Sequence, residues 1–177
     1  LSTERVSYIV GAIQDYSFAE GSKGLIFCSS NEEAAGLSTA LNMVDVHGRR
    51  LRTVAISGAT PVDERLRVVE RLESGKLDYI LTVDIFNEGI DIPAVNVVVF
   101  LRSTESSIIF TQQLGRGLRK SDGKKSLRVI DFIGNYANNY LIPIALTGER
   151  SADPDKIREK VRKTRRNPVA GGSTVSF

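Results

Sequence analysis

The fold of this 177-residue chain is decided by residues 79–101, which read YILTVDIFNEGIDIPAVNVVVFL. Two apolar segments, Tyr79–Val83 and Val95–Leu101, flank a connector that carries three carboxylates. Each segment has the length of a strand, and its nearly continuous apolar sequence is typical of strands covered by helices on both faces. The stretch therefore predicts two buried strands of a parallel sheet.

Strands and helices alternate on both sides of this stretch. The other predicted strands are Gly24–Cys28, Leu51–Ile56 and Leu127–Phe132. Helices are predicted at residues 3–15, after the Ser30–Glu33 capping box, after Thr60 and at residues 106–118. Alternation at this spacing favours a parallel α/β sheet with right-handed crossovers and helices on both faces.

Local signals predict where the helix after Thr60 begins and ends. Thr60 is expected to cap this helix, with Pro61 at its first position and Gly75 just beyond its end. Its apolar face is predicted to consist of Leu66, Val69 and Leu72.

The composition is that of an ordinary globular domain, with 41% apolar and 25% charged residues. No apolar run approaches the ~18 residues that a membrane helix needs, and the first residues lack a signal-peptide core. Cys28 is the only cysteine, which excludes an internal disulfide and favours a cytoplasmic location. Because the chain starts at Leu1 rather than at methionine, we expect it to be a piece of a longer protein.

The acidic connector is the first candidate site, because functional sites of parallel sheets lie beyond the carboxyl ends of the strands. Gly89 can let a ligand approach the backbone closely, and Asp91 can accept hydrogen bonds from a sugar hydroxyl. The alternative is a capped turn whose acids are simply solvated.

A second candidate site is the glycine- and arginine-rich stretch at residues 112–120, QQLGRGLRK. Arg116 and Arg119 are three residues apart and share one face of a helix, where an anion between them would relieve their repulsion. Paired guanidinium groups suit bidentate contact with phosphate oxygens. The alternative is a solvated basic helix end, which the helix dipole also favours.

Several kinds of site are missing from the sequence. There is no G-x-x-x-x-G-K-[ST] loop and no Cys/His cluster with metal-ligand spacing, so no metal site is predicted. His47 is the only histidine, and its place beside Gly48 predicts a surface loop rather than a catalytic base. A self-contained Rossmann dehydrogenase is excluded, because no G-x-G-x-x-G follows the first strand.

Four segments together resemble the motor motifs of superfamily 2 (DEAD/DEAH-type) helicases. Glu88–Pro93 resembles motif V and Gln112–Arg119 resembles motif VI, Q-x-x-G-R-x-x-R. Leu25–Ser30 resembles motif IV, and Ser57–Thr60 with Arg65 resembles the segment that follows the next strand. The motifs occur in the family's order over residues 24–132. Their amino-acid sequences are most similar to those of bacterial DNA helicases and restriction-type translocases.

The resemblance implies a fold and an active site shared between two lobes. Such motors have two RecA-like lobes, each a three-layer α/β sheet of the P-loop NTPase type, and ATP with Mg²⁺ is bound between them. This chain resembles the second lobe only, so the P-loop lysine and the Asp-Glu pair would come from an N-terminal lobe. The implied domains are a lead-in from that lobe (1–23), the helicase C-terminal domain (24–134) and a C-terminal extension with a basic, partly disordered tail (135–177).

The resemblance also implies roles for residues on the nucleotide side. Arg119 matches the arginine finger, and Arg116 matches the contact to the γ-phosphate. Asp91 would bond the ribose hydroxyl, Gly89 would allow that approach, and Gln112 would position motif VI. The chain alone would then be inactive as an ATP hydrolase, because half of the site is missing.

On the opposite surface, the resemblance implies that Ser29, Ser30, Gly58 and Thr82 meet the backbone of a nucleic acid. Short hydroxyls and N–H groups suit phosphate contacts without base readout. Val83 departs from the family, because many relatives carry threonine there, which leaves Thr82 one position early on the other face of its strand. The partner is expected to be DNA rather than RNA, with no membrane.

Two other functions remain open on the sequence alone. One is a non-hydrolysing nucleic-acid-binding or regulatory RecA-like module. The other is a double-strand DNA translocase or remodeller that does not unwind.

The net charge of +3 is unevenly distributed. Residues 151–177 hold seven basic and three acidic residues, whereas residues 1–150 hold 17 basic and 18 acidic ones. Residues 116–128 hold six basic residues and one acid, and part of this cluster is expected to face nucleotide phosphate. The basic tail is expected either to contact a nucleic-acid backbone or to form a solvated helix.

Overall fold

The computed structural model describes residues 2–83, 92–102, 127–132 and Glu159. The described helices are α1 (Thr3–Tyr16), α2 (Asn31–Leu41) and α3 (Val62–Glu73). The strands are β1 (Gly24–Phe27), β2 (Asp45–Val46), β3 (Arg49–Arg50), β4 (Thr53–Ala55), β5 (Tyr79–Thr82), β6 (Val97–Phe100) and β7 (Arg128–Asp131). The helix predicted at residues 106–118 lies outside the described residues.

Five strands form one parallel sheet in the order β4-β5-β1-β6-β7. Central β1 pairs with β5 and β6 in a register that aligns Gly24 with both Tyr79 and Val97. The three central strands are buried along their whole length. All five strands predicted from apolar runs are confirmed, each within two residues at either end.

Alternate residues of the sheet face two separate cores. Leu25 and Phe27 of β1 pack on the side of α3, where the Phe27 ring stacks on Phe100 at 5.4 Å between ring centroids. Ile26 and Cys28 pack on the other side, against α1 and α2. The three-layer arrangement with helices on both faces of a parallel sheet is therefore confirmed.

Helix α1 is part of this core. Its Ile9 and Ile13 are buried and pack in the same cluster as α2. The guanidinium of Arg128 on β7 donates to the carbonyl oxygens of Tyr16 and Ser17 at 3.0 and 2.7 Å, which holds the end of the helix. Arg128, one of the six basic residues in the 116–128 cluster, thus has a structural role.

Helix α3 differs from prediction at its start and on its apolar face. Thr60 does not cap it, since the Thr60 hydroxyl instead accepts from the Ser57 N–H at 3.0 Å in a local turn. Pro61 stands one position before the helix. The buried stripe consists of Val68, Val69 and Leu72. Leu66 lies roughly 110° around the axis from the middle of that stripe and is 48% exposed.

The end of α3 agrees with prediction. Gly75 follows it with φ of 73°, in the left-handed region that favours glycine.

The short hairpin of β2 and β3 was not predicted. Its two turn residues, His47 and Gly48, have φ of 53° and 78°, as a tight two-residue turn requires. His47 is exposed, which confirms its predicted place on the surface. None of α1 to α3, the helices among the described residues, has the length and apolar content of a membrane span.

The hairpin is tied to the amino edge of the sheet by a buried carboxylate, Asp78. Arg49 Nη1 donates to Oδ2 at 2.9 Å, and Arg52 donates to the carboxylate through its backbone N–H, Nε and Nη2 at 2.9–3.2 Å. Burial alone would raise the pKa of Asp78, but the hydrogen bonds from Arg49 and Arg52 outweigh it and hold this pKa below its ordinary value.

This network makes stability dependent on pH. Because the folded-state pKa of Asp78 is lowered, its contribution is complete above the unfolded-state pKa and is lost as pH falls through the folded-state pKa. We expect Asp78→Asn to lower the free energy of unfolding by about 1–3 kcal/mol at pH 7. Urea unfolding from pH 7 to pH 3 checks this, and a difference from the parent chain that does not shrink toward acid would contradict it.

A second prediction concerns the start of the central strand. A Cβ at Gly24 would lie 2.1 Å from Cδ1 of the fully buried Tyr79 ring, closer than real contacts allow. Gly24→Ala must therefore move β1 or the ring, and we expect it to cost about 1–3 kcal/mol. Thermal unfolding measures this. Gly36→Ala, where the added Cβ meets nothing within 4 Å, is the matched control.

Candidate nucleic-acid interface

Three of the predicted contact segments lie at one edge of the sheet. Ser29 and Ser30 follow β1, Gly58 follows β4, and Thr82 is the last residue of β5. Since β5 lies between β4 and β1 in a parallel sheet, the polar segments after those strands flank its carboxyl end. The fold thus brings these positions, distant in sequence, to one edge.

The segment after β1 is organised by Glu33. The Ser30 hydroxyl caps α2 by accepting from the Glu33 N–H at 3.1 Å, as predicted. In a capping box the Glu33 carboxylate would accept from the Ser30 N–H. Here its Oε2 accepts instead from Ser29, one residue earlier, through the N–H at 2.7 Å and the hydroxyl at 2.5 Å. Its Oε1 pairs with Arg5 of α1 at 2.5 Å.

The segment after β4 is a turn held by Arg65 of α3. The Arg65 guanidinium donates to the carbonyl oxygens of Thr60 and Gly58, both at 2.7 Å. Gly58 is exposed and lacks a positive φ, and a Cβ built there would meet nothing within 4 Å. Among the residues that the structure describes, neither backbone conformation nor packing therefore requires glycine at this position.

Thr82 differs from the other three positions because its side chain is fully buried. Its hydroxyl has no hydrogen-bond partner within the described part of the chain. Its carbonyl accepts from the Cys28 N–H at 2.8 Å. In this conformation the Thr82 hydroxyl faces the interior rather than the surface, because both faces of β5 are covered.

Cys28, next to Ser29, is a buried and unreactive thiol. Burial and, to a lesser extent, the nearby Glu33 carboxylate together raise its pKa to about 12, against a smaller lowering by Arg5. The thiolate is therefore scarce at neutral pH.

The nucleotide-side residues lie outside the described residues. They are Gly89, Asp91, Gln112, Arg116 and Arg119. The ends of the motif V connector are described: Val83 follows β5, and Ile92 is buried in the core beside α3. Within the described residues, no group of three or more His, Cys, Asp or Glu side chains could hold a metal ion.

Three residues that shape this edge cannot be identified as such from the sequence. Arg65 lies in the segment that resembles the family, but nothing in the sequence indicates its role, and Glu33 is recognisable only as half of a capping box. Arg5 gave no sequence signal, since its partner is 28 positions away.

The chain matches a known family and several of its members. The family described as "Helicase conserved C-terminal domain" matches residues 4–121. The Saccharomyces cerevisiae protein "Putative ATP-dependent helicase IRC3" is 30% identical over 103 residues, which is 58% of this chain and 15% of that protein. "UvrABC system protein B" of Bacillus velezensis is 32% identical over 104 residues, covering 54% of this chain and 15% of that protein.

A third relative is named for an RNA substrate. It is the "Pre-mRNA-splicing ATP-dependent RNA helicase prp28" of Schizosaccharomyces pombe, 27% identical over 137 residues. The match covers 76% of this chain and 20% of that protein. The chain thus spans no more than a fifth of the length of these relatives.

Solved structures show the same fold. The Mycobacterium smegmatis helicase Lhr, bound to ssDNA and AMP-PNP, matches with a TM-score of 0.54 and 18% identity, over 89% of this chain and 19% of that one. The E. coli DEAD-box protein SrmB matches with a TM-score of 0.54 and 16% identity, over 98% of this chain and 84% of that one. The chain therefore belongs to the helicase conserved C-terminal domain family, as the RecA-like C-terminal domain of a superfamily 2 helicase.

Proposed function

We propose that this chain is the second motor lobe of an ATP-dependent helicase or translocase and forms half of its nucleic-acid track. One observation carries the proposal. In a member of the helicase C-terminal family, the sheet places the exposed segments after β1 and β4 at a single edge. A strand of nucleic acid lying across this edge would meet backbone and hydroxyl groups, which grip phosphates without reading bases.

The turn after β4 is suited to a close approach of phosphate. Carbonyl oxygens repel a phosphate, and Arg65 draws those of Gly58 and Thr60 toward itself. The open space above Gly58 leaves room for an atom of a ligand where another residue would carry Cβ.

On the nucleotide side, Arg119 acts as the arginine finger and Arg116 contacts the γ-phosphate. Arginines in these positions stabilise charge on the transferring phosphoryl group and are worth about 10³–10⁵ in rate. Asp91 bonds the ribose, Gly89 allows the approach, and Gln112 positions motif VI. Carboxylates and the P-loop lysine of an N-terminal lobe supply the rest of the site for ATP and Mg²⁺.

The two lobes close when ATP bridges them and reopen after hydrolysis, a hinge motion that shifts the grip on the strand. We propose that the strand is DNA, because the sequences of motifs V and VI resemble those of bacterial DNA helicases. Relatives include both a UvrABC protein and an RNA helicase, so matched DNA and RNA oligonucleotides test this choice directly.

The track is tested at Gly58. We expect Gly58→Ala to leave the free energy of unfolding within about 0.5 kcal/mol of the parent, because the added Cβ meets nothing. Loss of one backbone–phosphate hydrogen bond should weaken binding about two- to tenfold. Fluorescence anisotropy of a labelled 20-nucleotide single strand with the full-length protein measures it.

The matched control is Gly36→Ala on α2, an exposed site that is equally open. It should stabilise the helix by about 0.8–1.0 kcal/mol and leave binding unchanged. Equal affinities for the Gly58→Ala and Gly36→Ala proteins would remove Gly58 from the track.

The finger is tested by Arg119→Ala in the full-length protein. We expect ATP turnover to fall by about 10³-fold or more while binding to single strands persists. Steady-state phosphate release and anisotropy measure the two properties. Unchanged turnover would overturn this role for Arg119.

A further inference from the structure

The Glu33 carboxylate accepts hydrogen bonds from the same groups after β1 that the proposed track would offer to a nucleic acid. The Ser29 N–H and hydroxyl both donate to Oε2 of Glu33, at 2.7 and 2.5 Å. The other oxygen of Glu33 receives the guanidinium of Arg5 at 2.5 Å. The Glu33 side chain is only 11% exposed, although Ser29 lies on the surface.

This set of donors suits a phosphate as well as a carboxylate. A backbone N–H, a hydroxyl and a guanidinium converge on two oxygens of one anion, which is how proteins commonly hold the non-bridging oxygens of a nucleic-acid phosphate. A phosphate cannot accept from the Ser29 N–H while Glu33 does, and two anions at this distance repel each other.

Capping of α2 does not explain the arrangement. The Ser30 hydroxyl makes the cap by itself, through the Glu33 backbone N–H. The Glu33 side chain reaches beyond the cap residue to Ser29, and Arg5 from a different helix completes the set.

We infer that Glu33 is a built-in competitor for the nucleic-acid phosphate at Ser29 and sets how tightly this lobe grips the strand. The inference rests on the function proposed above and adds a regulator of that site. Each phosphate that binds displaces the carboxylate, and the carboxylate returns when the phosphate leaves. A motor that must release its strand at every step gains a faster exchange from this competition.

The test compares two charge-neutralising variants in the same helical turn of the full-length protein. Glu33→Gln removes the competing charge, whereas Glu32→Gln removes an equal charge from an exposed neighbour. Losing a charge-assisted hydrogen bond should make Glu33→Gln bind a labelled 20-nucleotide strand about tenfold more tightly than Glu32→Gln. Glu33→Asp keeps the charge but shortens the reach to Ser29, and it should also tighten binding relative to the parent.

The Ser29→Ala background supplies the specificity control. With the Ser29 hydroxyl removed, the difference in strand affinity between Glu33→Gln and Glu32→Gln should be markedly smaller than in the parent background. Thermal unfolding establishes that each variant is folded, and Glu33→Asp replaces Glu33→Gln if the latter is not.

If the parent protein binds the strand and the Glu33→Gln and Glu32→Gln variants bind it with equal affinity, the role of Glu33 as a competitor is overturned while the proposed track stands. Weaker binding by Glu33→Gln also overturns it, since Glu33 would then organise the site rather than block it. Absence of binding by both the parent and the Glu33→Gln protein overturns the proposed track as well.

Discussion

The parallel direction of five strands is the constraint on which the rest of the structure depends. Central β1 is hydrogen-bonded on both sides and buried on both faces, so its neighbours must run beside it in a set register. Every strand then ends at the same edge, and whatever follows the strands is brought together there. The polar segments at Ser29 and Gly58, 29 positions apart in the chain, meet at one surface for this reason.

The three central strands were predictable because burial on both faces requires a nearly continuous apolar sequence. The hairpin of β2 and β3 was not, because two-residue strands have no periodicity and its turn depends on a positive φ at His47. Thr60 followed a general capping preference that a competing local hydrogen bond overrode. Leu66 fits the helical spacing, yet it lies at the margin of a stripe whose width the sequence does not reveal.

Part of the candidate site could likewise be predicted from the sequence, and part could not. The positions of Ser29, Ser30 and Gly58 at the carboxyl edge follow from strand order alone. The hydrogen bonds that determine what those positions can do come from Glu33, Arg5 and Arg65, and contacts across elements leave no pattern in a single sequence. The side chain of Thr82 is fully buried because both faces of β5 are covered, and the neighbouring motif did not indicate this.

Helix α1 has a consequence for how the domain can be cut out of a longer protein. Ile9 and Ile13 cover the same face of the sheet as Ile26, and Arg128 holds the far end of the helix to β7. A recombinant fragment that began at β1, where the first motif starts, would lack α1 and leave the part of that face not covered by α2 exposed to water and prone to aggregation. A fragment that keeps α1 in place therefore begins at or before Thr3, some twenty residues ahead of the first recognisable motif.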